Sequence, residues 1–202
     1  MLKFKEKKSM HDIEPFFKWR EKYIASEDER SPFHGKVYNE FTFSTKIYNY
    51  YIHPQWDEMG SATLYLKLLF VDYAKGVAII ELIGEWNDAI NNDIMFLKRE
   101  IADTLIQEGI FKYVLLCDNV LNFHGSDDCY YEEWFEDIVE DNGWIVCLNL
   151  LPHVMEEMQD TRIHYYVNLG DHINDIEWRK LSPLNLLLAI ETKKDEQIKS
   201  LG

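Results

Sequence analysis

The sequence predicts an α/β domain with a mostly parallel sheet and an antiparallel start. Three observations predict it. Two β-prone apolar runs, 62–73 and 77–83, meet across Ala74-Lys75-Gly76, which reads as a hairpin. After them, short apolar runs alternate with amphipathic segments, giving the order β-β-α-β-α-β-α-β-α from residue 62 onward. The connections are short, as they are when successive elements are neighbours in space. The chain divides into an N-terminal helical and β extension, 1–61, and the α/β domain with its C-terminal helix, 62–202.

Each element has a local reason. Asp12 can cap a short helix that carries Phe16, Trp19, Tyr23 and Ile24 at helical spacing. The polar run Ser26 to Pro32 is a loop. Residues 36–52 are rich in aromatic and β-branched side chains and read as strand, turning near Ser44-Thr45-Lys46. Val77 to Ile83 is almost continuously apolar, as expected of a strand buried on both faces. Gly84 to Asp88 ends it, and Asn91 or Asn92 caps a helix whose buried stripe is Ile94, Leu97, Ile101 and Leu105, closed by Gly109. Tyr113 to Cys117 is a strand, Asp118 to Asp128 a polar loop, and 128–140 a helix with Trp134, Phe135, Ile138 and Val139 on one side. Strand 144–150, helix 152–159, strand 163–167 and helix 183–199 complete the chain, the last with Leu184, Leu187, Leu188 and Ile190 available for packing.

Composition bounds the function. The chain has 202 residues, 47% of them hydrophobic and 14% aromatic, enough for a sizeable core. A formal net charge of -15 argues against nucleic acid and against anionic membrane surfaces, which would repel it. No apolar stretch approaches the roughly 20 residues that cross a bilayer, and no secretory signal follows the basic start. Cys117, Cys129 and Cys147 show no CxxC spacing; Cys117 and Cys147 fall in apolar runs, as free thiols do in a reducing cytoplasm.

Chemistry-bearing residues gather around the chain from Lys112 to Glu140. In open α/β sheets, sites lie outside the carboxyl ends of the strands. Glu85, Trp86 and Asp88 end one strand; Asn122, His124, Ser126, Asp127 and Asp128 follow the next; Glu132 begins the helix face. None of these makes a catalytic motif: Gly125-Ser126-Asp127 lacks the second glycine of a nucleophile elbow, and no phosphate-binding glycine loop occurs. His124, Asp127, Asp128 and Cys129 are ligand types without metal-site spacing, so neither a metal nor a cofactor is expected. Glu85 or Asp88 meeting Asp127 across the crevice would allow paired-carboxylate chemistry. Ser126 reads as a helix cap or as a modifiable hydroxyl. The acidic pairs 127–128, 132–133, 136–137 and 140–141 read as a solvated helix face or as a docking face for a basic partner. Tyr48, Tyr50, Tyr51, Trp56 and Trp86 line either a core or a pocket or subunit interface.

The element order resembles the STAS domain, the fold of bacterial anti-sigma-factor antagonists, over about residues 62–170. Gly84-Glu85-Trp86-Asn87-Asp88 looks like the family's turn after its second strand, 115–123 like its strand leading to the regulatory loop, and Gly143 before Trp144–Leu148 like its glycine-then-strand step. The resemblance implies a non-catalytic regulatory protein–protein interaction. It implies a contact surface at loop 122–128 and the acidic helix 128–140. Where phosphorylated members carry two adjacent hydroxyl residues before glycine, this chain has Ser126 and then Asp127, which cannot form the same phosphate ester. The expected partner is a protein, basic in charge, with a homodimer through the aromatic N-terminal segment also open. The alternative is an enzyme or small-molecule-binding protein using a crevice of Glu85, Asp88, His124 and Asp127.

Overall fold

The computed structural model describes residues 14–39 and 41–201. The cap expected at Asp12 lies outside them. The first strands, β1 (Lys46–Ile47) and β2 (Tyr50–Tyr51), form a two-residue antiparallel ladder of their own. The main sheet has five strands in the order β3-β4-β5-β6-β7: β3 Leu64–Asp72, β4 Val77–Asn87, β5 Lys112–His124, β6 Trp144–Leu148 and β7 Val167–Asn168. β3 and β4 pair antiparallel and every later pair is parallel. The domain is α/β, in the order read from the sequence.

Both faces of the sheet are covered, which is why its strands read as unbroken apolar runs. Ile80, Leu115 and Ile145 face one cluster; Ile79, Val114 and Val146 face another. The first face packs against the helices between strands. These are α1 (Asp88–Asn91), α2 (Asp93–Phe96), a π-helical turn (Leu97–Ala102), α3 (Asp103–Gln107), α4 (Cys129–Val139) and α5 (Pro152–Asp160). The expected stripe of Ile94, Leu97, Ile101 and Leu105 is buried there, and Gly109, at φ +83°, follows the helix end. The opposite face packs against Trp19, Trp178 and the start of α6 (Pro183–Leu201).

Several local expectations are corrected. The aromatic segment 16–24 forms turns, not a helix. Phe16 and Trp19 pack edge-on against Trp178, and Trp19 Nε1 donates to Leu181 O at 3.0 Å. Tertiary contacts hold this segment where helical spacing had suggested local ones. Among the described residues of 36–52 four pair as strand, and the turn comes at Tyr48-Asn49, where Tyr48 has φ 54°. The helix that carries Ile94 has Asn92 at its N-cap position as expected, but in the left-handed region and without a side-chain cap bond; the short α1 before it is capped by Asn87, whose side chain accepts from Ile90 N at 2.9 Å. In α4 the buried stripe is Tyr131, Trp134 and Ile138, at i, i+3 and i+7, and Val139 is turned outward. Ile163–Tyr165 is a 3-10 turn, and the last strand starts only at Val167. In α6, Leu186, Leu187 and Ile190 are buried while Leu184 and Leu188 are exposed.

Candidate functional site

The carboxyl ends of β4 and β5 run further than their apolar runs suggest. β4 continues through Gly84, Glu85 and Trp86 to Asn87, and β5 continues to His124. Asn122 and His124 are therefore strand residues, and the loop before α4 shrinks to 125–128. Two irregularities explain the difference. The β4–β5 register slips between Glu81 and Ile83 and again between Gly84 and Glu85, each time leaving extra residues on β5. Inward residues of β5 run Tyr113, Leu115, Cys117 and then Val120 and Phe123, so the period of two twice becomes three. The second slip leaves Leu121 out of the pairing and half-exposed. It puts Phe123 beside Trp86 in the core and sets Asn122 and His124 opposite Glu85 and Asn87.

Gly84 makes this geometry achievable. Its φ is +122°, and a Cβ there would lie 2.0 Å from Thr63 O. The chain before β3 crosses at that point, and Glu85 N donates to Thr63 O at 3.0 Å. A side chain would push the crossing chain off.

On the outer side, Glu85 is clamped between two partners. Its Oε1 meets His124 Nε2 at 2.8 Å, and its Oε2 accepts the Tyr48 hydroxyl at 2.7 Å. The bond to Glu85 raises the Tyr48 phenol above the usual tyrosine range, with Asn122 opposing. The β1–β2 hairpin is thereby tied to the end of the main sheet. Around this polar pair lie exposed apolar side chains: Ile90, Leu121, Tyr48 and Tyr50 are 83, 49, 58 and 69% exposed. Of the five aromatics noted in the sequence, Trp56 and Trp86 are buried and the three tyrosines exposed, Tyr48 alone bonding Glu85.

The crevice grouping of Glu85, Asp88, His124 and Asp127 is divided by the structure. Glu85 and His124 meet. Asp88 turns inward, where Oδ1 accepts Trp86 Nε1 at 3.0 Å and Ile94 N at 2.8 Å, and Oδ2 accepts the Tyr131 hydroxyl at 2.6 Å. Burial pushes its pKa up to about 6. This carboxylate joins the end of β4 to α2 and α4, which is a structural role. Asp127 faces another way: its Oδ1 accepts Cys129 N at 3.2 Å. With Ser126, Asp128, Asp160, Thr161 and Arg162 it lines a shallow cleft of about 330 Å³ that does not include Glu85 or His124.

Ser126 is exposed and stands two residues before Asp128, the residue at the helix cap, so it is not the cap. Gly125 N donates to Glu157 Oε1 at 3.0 Å, which fixes the loop onto α5. The acidic face of α4 is partly neutralised from within. Buried Lys98 bonds Asp103 and reaches Asp137 Oδ2 at 2.8 Å, and Arg99 holds Glu133 through both nitrogens at 2.5 and 2.8 Å. Asp127, Asp128, Glu132 and Glu136 take part in no ion pair among the described residues. Among the described residues no group of three or more histidine, cysteine, aspartate or glutamate side chains is placed to hold a metal ion. No helix of the described residues is long and apolar enough to cross a membrane. Sequence reasoning missed Ile90 and Leu121 as surface residues and Tyr48 as the partner of Glu85. The three-residue steps from Cys117 to Val120 to Phe123 were the available signal.

No family model matches this chain, and no curated protein matches it. Solved structures do. The anti-sigma factor antagonist SpoIIAA in its unphosphorylated form is 14% identical, with 52% of this chain and 88% of that chain covered and a TM-score of 0.42. The phosphorylated form of the Bacillus cell fate determinant SpoIIAA is 13% identical, with 52% and 91% covered and a TM-score of 0.38. A protein assigned as an anti-sigma factor antagonist of Thermotoga maritima is 18% identical, with 52% and 86% covered and a TM-score of 0.40.

Proposed function

We propose that this chain is a non-catalytic protein-interaction module that acts in regulation, and that a protein partner docks on the outer ends of β4 and β5 together with α4. The observation that carries the proposal is the surface around Glu85 and His124, where Ile90, Leu121, Tyr48 and Tyr50 leave apolar area exposed around a fixed polar pair. Apolar patches rimmed by polar groups are what docking surfaces use. Asn122 lies within that surface, and Trp86 supports it from beneath. Loop residues Ser126, Asp127 and Asp128, with Glu132 on α4, form its acidic flank. Carboxylates outside any internal ion pair favour a basic partner, chiefly through the rate of encounter. Ser126 is the exposed hydroxyl of the loop and the group a kinase would modify. The cytoplasm suits buried free Cys117 and Cys147. Self-association would draw on Phe17 and Ile24, the exposed apolar residues of the N-terminal segment.

The test is a pull-down from native cell extract with the full chain as bait. It is run beside Leu121→Ala/Tyr50→Ala and Asp127→Ala/Asp128→Ala/Glu132→Ala variants, with the intact mass of each bait recorded. The expected result is a stoichiometric basic protein held by the wild type and released by both variants. The same proteins on all three baits would overturn the proposed surface.

A further inference from the structure

A cavity among the described residues lies away from the surface just described. It has a volume of about 420 Å³ and opens between the N-terminal segment, residues 36–38 and strand β3. Volumes of this order hold small molecules. Its walls are apolar where Phe16, Ile24 and Leu69 line it, and its charged lining is Arg20, Lys36 and Lys67, with no carboxylate among the lining residues.

The charge balance is unusual for this chain. The whole sequence carries -15, yet three cations converge here. One acid answers them from behind the wall. Asp57, fully buried, accepts from Lys36 Nζ at 2.9 Å, Lys67 Nζ at 3.0 Å and the Tyr38 hydroxyl at 2.7 Å. Arg20 takes part in no ion pair among the described residues. Three lining cations against the one carboxylate that Lys36 and Lys67 bond leave an excess of positive charge on the cavity wall. Lys67 is 14% exposed and stacks over the Tyr38 ring at 3.6 Å, so it cannot swing away to water as a surface lysine does. Burial, with Lys36 and Arg20 nearby, holds its ammonium below the usual lysine range despite Asp57. An anion entering the cavity would relieve that repulsion.

We propose that this cavity is a binding site for a small amphipathic organic anion, whose apolar body lies against Phe16, Ile24 and Leu69 and whose anionic group faces Arg20, Lys36 and Lys67. The site is independent of the protein-docking surface. Its selectivity comes from charge more than from shape. A neutral compound of the same size gains only the apolar contact, whereas an anion also meets an excess of positive charge in a partly dry cavity, where charge interactions are least screened.

The probe is 8-anilinonaphthalene-1-sulfonate, with neutral N-phenyl-1-naphthylamine as its uncharged counterpart. Both are titrated by fluorescence into the full chain. We expect one saturable sulfonate site per chain. Arg20→Gln/Lys36→Gln should weaken it about tenfold or more. Val37→Glu changes a residue that is 93% exposed at the cavity mouth, so it adds a negative charge without touching the core, and it should weaken binding as well. Lys36→Arg, which keeps the charge, should retain affinity. Circular dichroism and thermal melting establish that each variant is folded. Equal affinity for the neutral compound, unchanged sulfonate affinity in both charge variants, or no saturable binding by the wild type would overturn the site.

Discussion

Replacing Asp88 separates a structural carboxylate from a catalytic one. Asp88 is 4% exposed and accepts three hydrogen bonds from buried or nearly buried donors, Trp86 Nε1, Ile94 N and the Tyr131 hydroxyl. Asp88→Ala leaves all three without an acceptor. At about 1–3 kcal/mol for each buried donor so stranded, the loss over three donors is roughly 3–9 kcal/mol, a large part of the stability of a domain this size. Asp88→Asn keeps an oxygen where Oδ1 stands, and its amide can donate to the Tyr131 oxygen, so its cost at low pH is about 1 kcal/mol. The two variants also differ from the wild type in pH dependence. Burial pushes the Asp88 pKa up to about 6 from an unfolded value near 4. Between about pH 4 and 6 the folded chain therefore holds a proton that the unfolded chain has released. Stability falls as pH rises through that window, by roughly 3 kcal/mol for a shift of about two units. Asparagine cannot ionise, so Asp88→Asn should gain on the wild type by about that amount between pH 4 and 7. Urea unfolding followed by tryptophan fluorescence at pH 4.5, 5.5, 6.5 and 7.5 reads both effects. A difference between wild type and Asp88→Asn that stays flat across the series would refute the desolvated carboxylate. An Asp88→Ala loss below 1 kcal/mol would refute the hub.

Further outcomes follow from single positions. Gly84→Ala should cost about 3 kcal/mol or more, since its Cβ meets Thr63 O at 2.0 Å and φ is +122°. Gly109→Ala, also at positive φ but with nothing within 4 Å, should cost only about 1 kcal/mol in the same urea titration. Burial pushes the pKa of Glu81 up to about 7, against the Phe16 N–H and Arg179, so Glu81→Gln should remove a fall in stability between about pH 4.5 and 7, read from thermal melts across that range. Of the three cysteines, only Cys129 is exposed, so an aromatic disulfide reagent should titrate one thiol in the native chain and three after denaturation. The hydrogen bond to Asp127 raises the Cys129 thiol, so that one reaction should be slower than with a free cysteine and speed up in Asp127→Asn.

How much of this was legible in the sequence depended on whether a residue's neighbours were close along the chain. The hairpin β3–β4 was visible because both runs and the turn between them are contiguous, and so was the α2–α3 stripe. β5 was visible only up to Cys117. Beyond it the inward residues step by three, to Val120 and Phe123, and a period that changes twice inside one strand looks like a loop. That one misreading moved Asn122 and His124 off the strand. Asp88 looked like a site residue for the opposite reason: a carboxylate at a strand end reads the same whether it faces water or three buried donors. The cationic cavity was not legible at all. Arg20, Lys36, Asp57 and Lys67 are spread over 48 positions of sequence, and only the folding of the N-terminal segment against β3 brings them together.

That same cavity tests how net charge should be used. A total of -15 argues against a polyanion that must cover a wide surface, because every contact would meet the average field. It does not exclude a small anion. At physiological salt the screening length is about 8 Å, so exposed carboxylates farther away than that contribute little at the cavity. Lys67, 14% exposed and hemmed in by Tyr38 and Asp57, is screened far less. A group with one charge reads the potential of its nearest few neighbours, and here those neighbours sum to a positive value. The same argument applied to α4 works in the other direction. Lys98 and Arg99 pair with the inner acids Asp103, Glu133 and Asp137, so the outer residues Asp127, Asp128, Glu132 and Glu136 carry most of what a docking protein would feel. Raising the salt concentration should therefore slow capture of a basic protein at α4 while leaving the part of the anion affinity that rests on Lys67 in place. A cleft whose affinity fell as steeply with salt as the docking rate would be only an exposed patch of lysines.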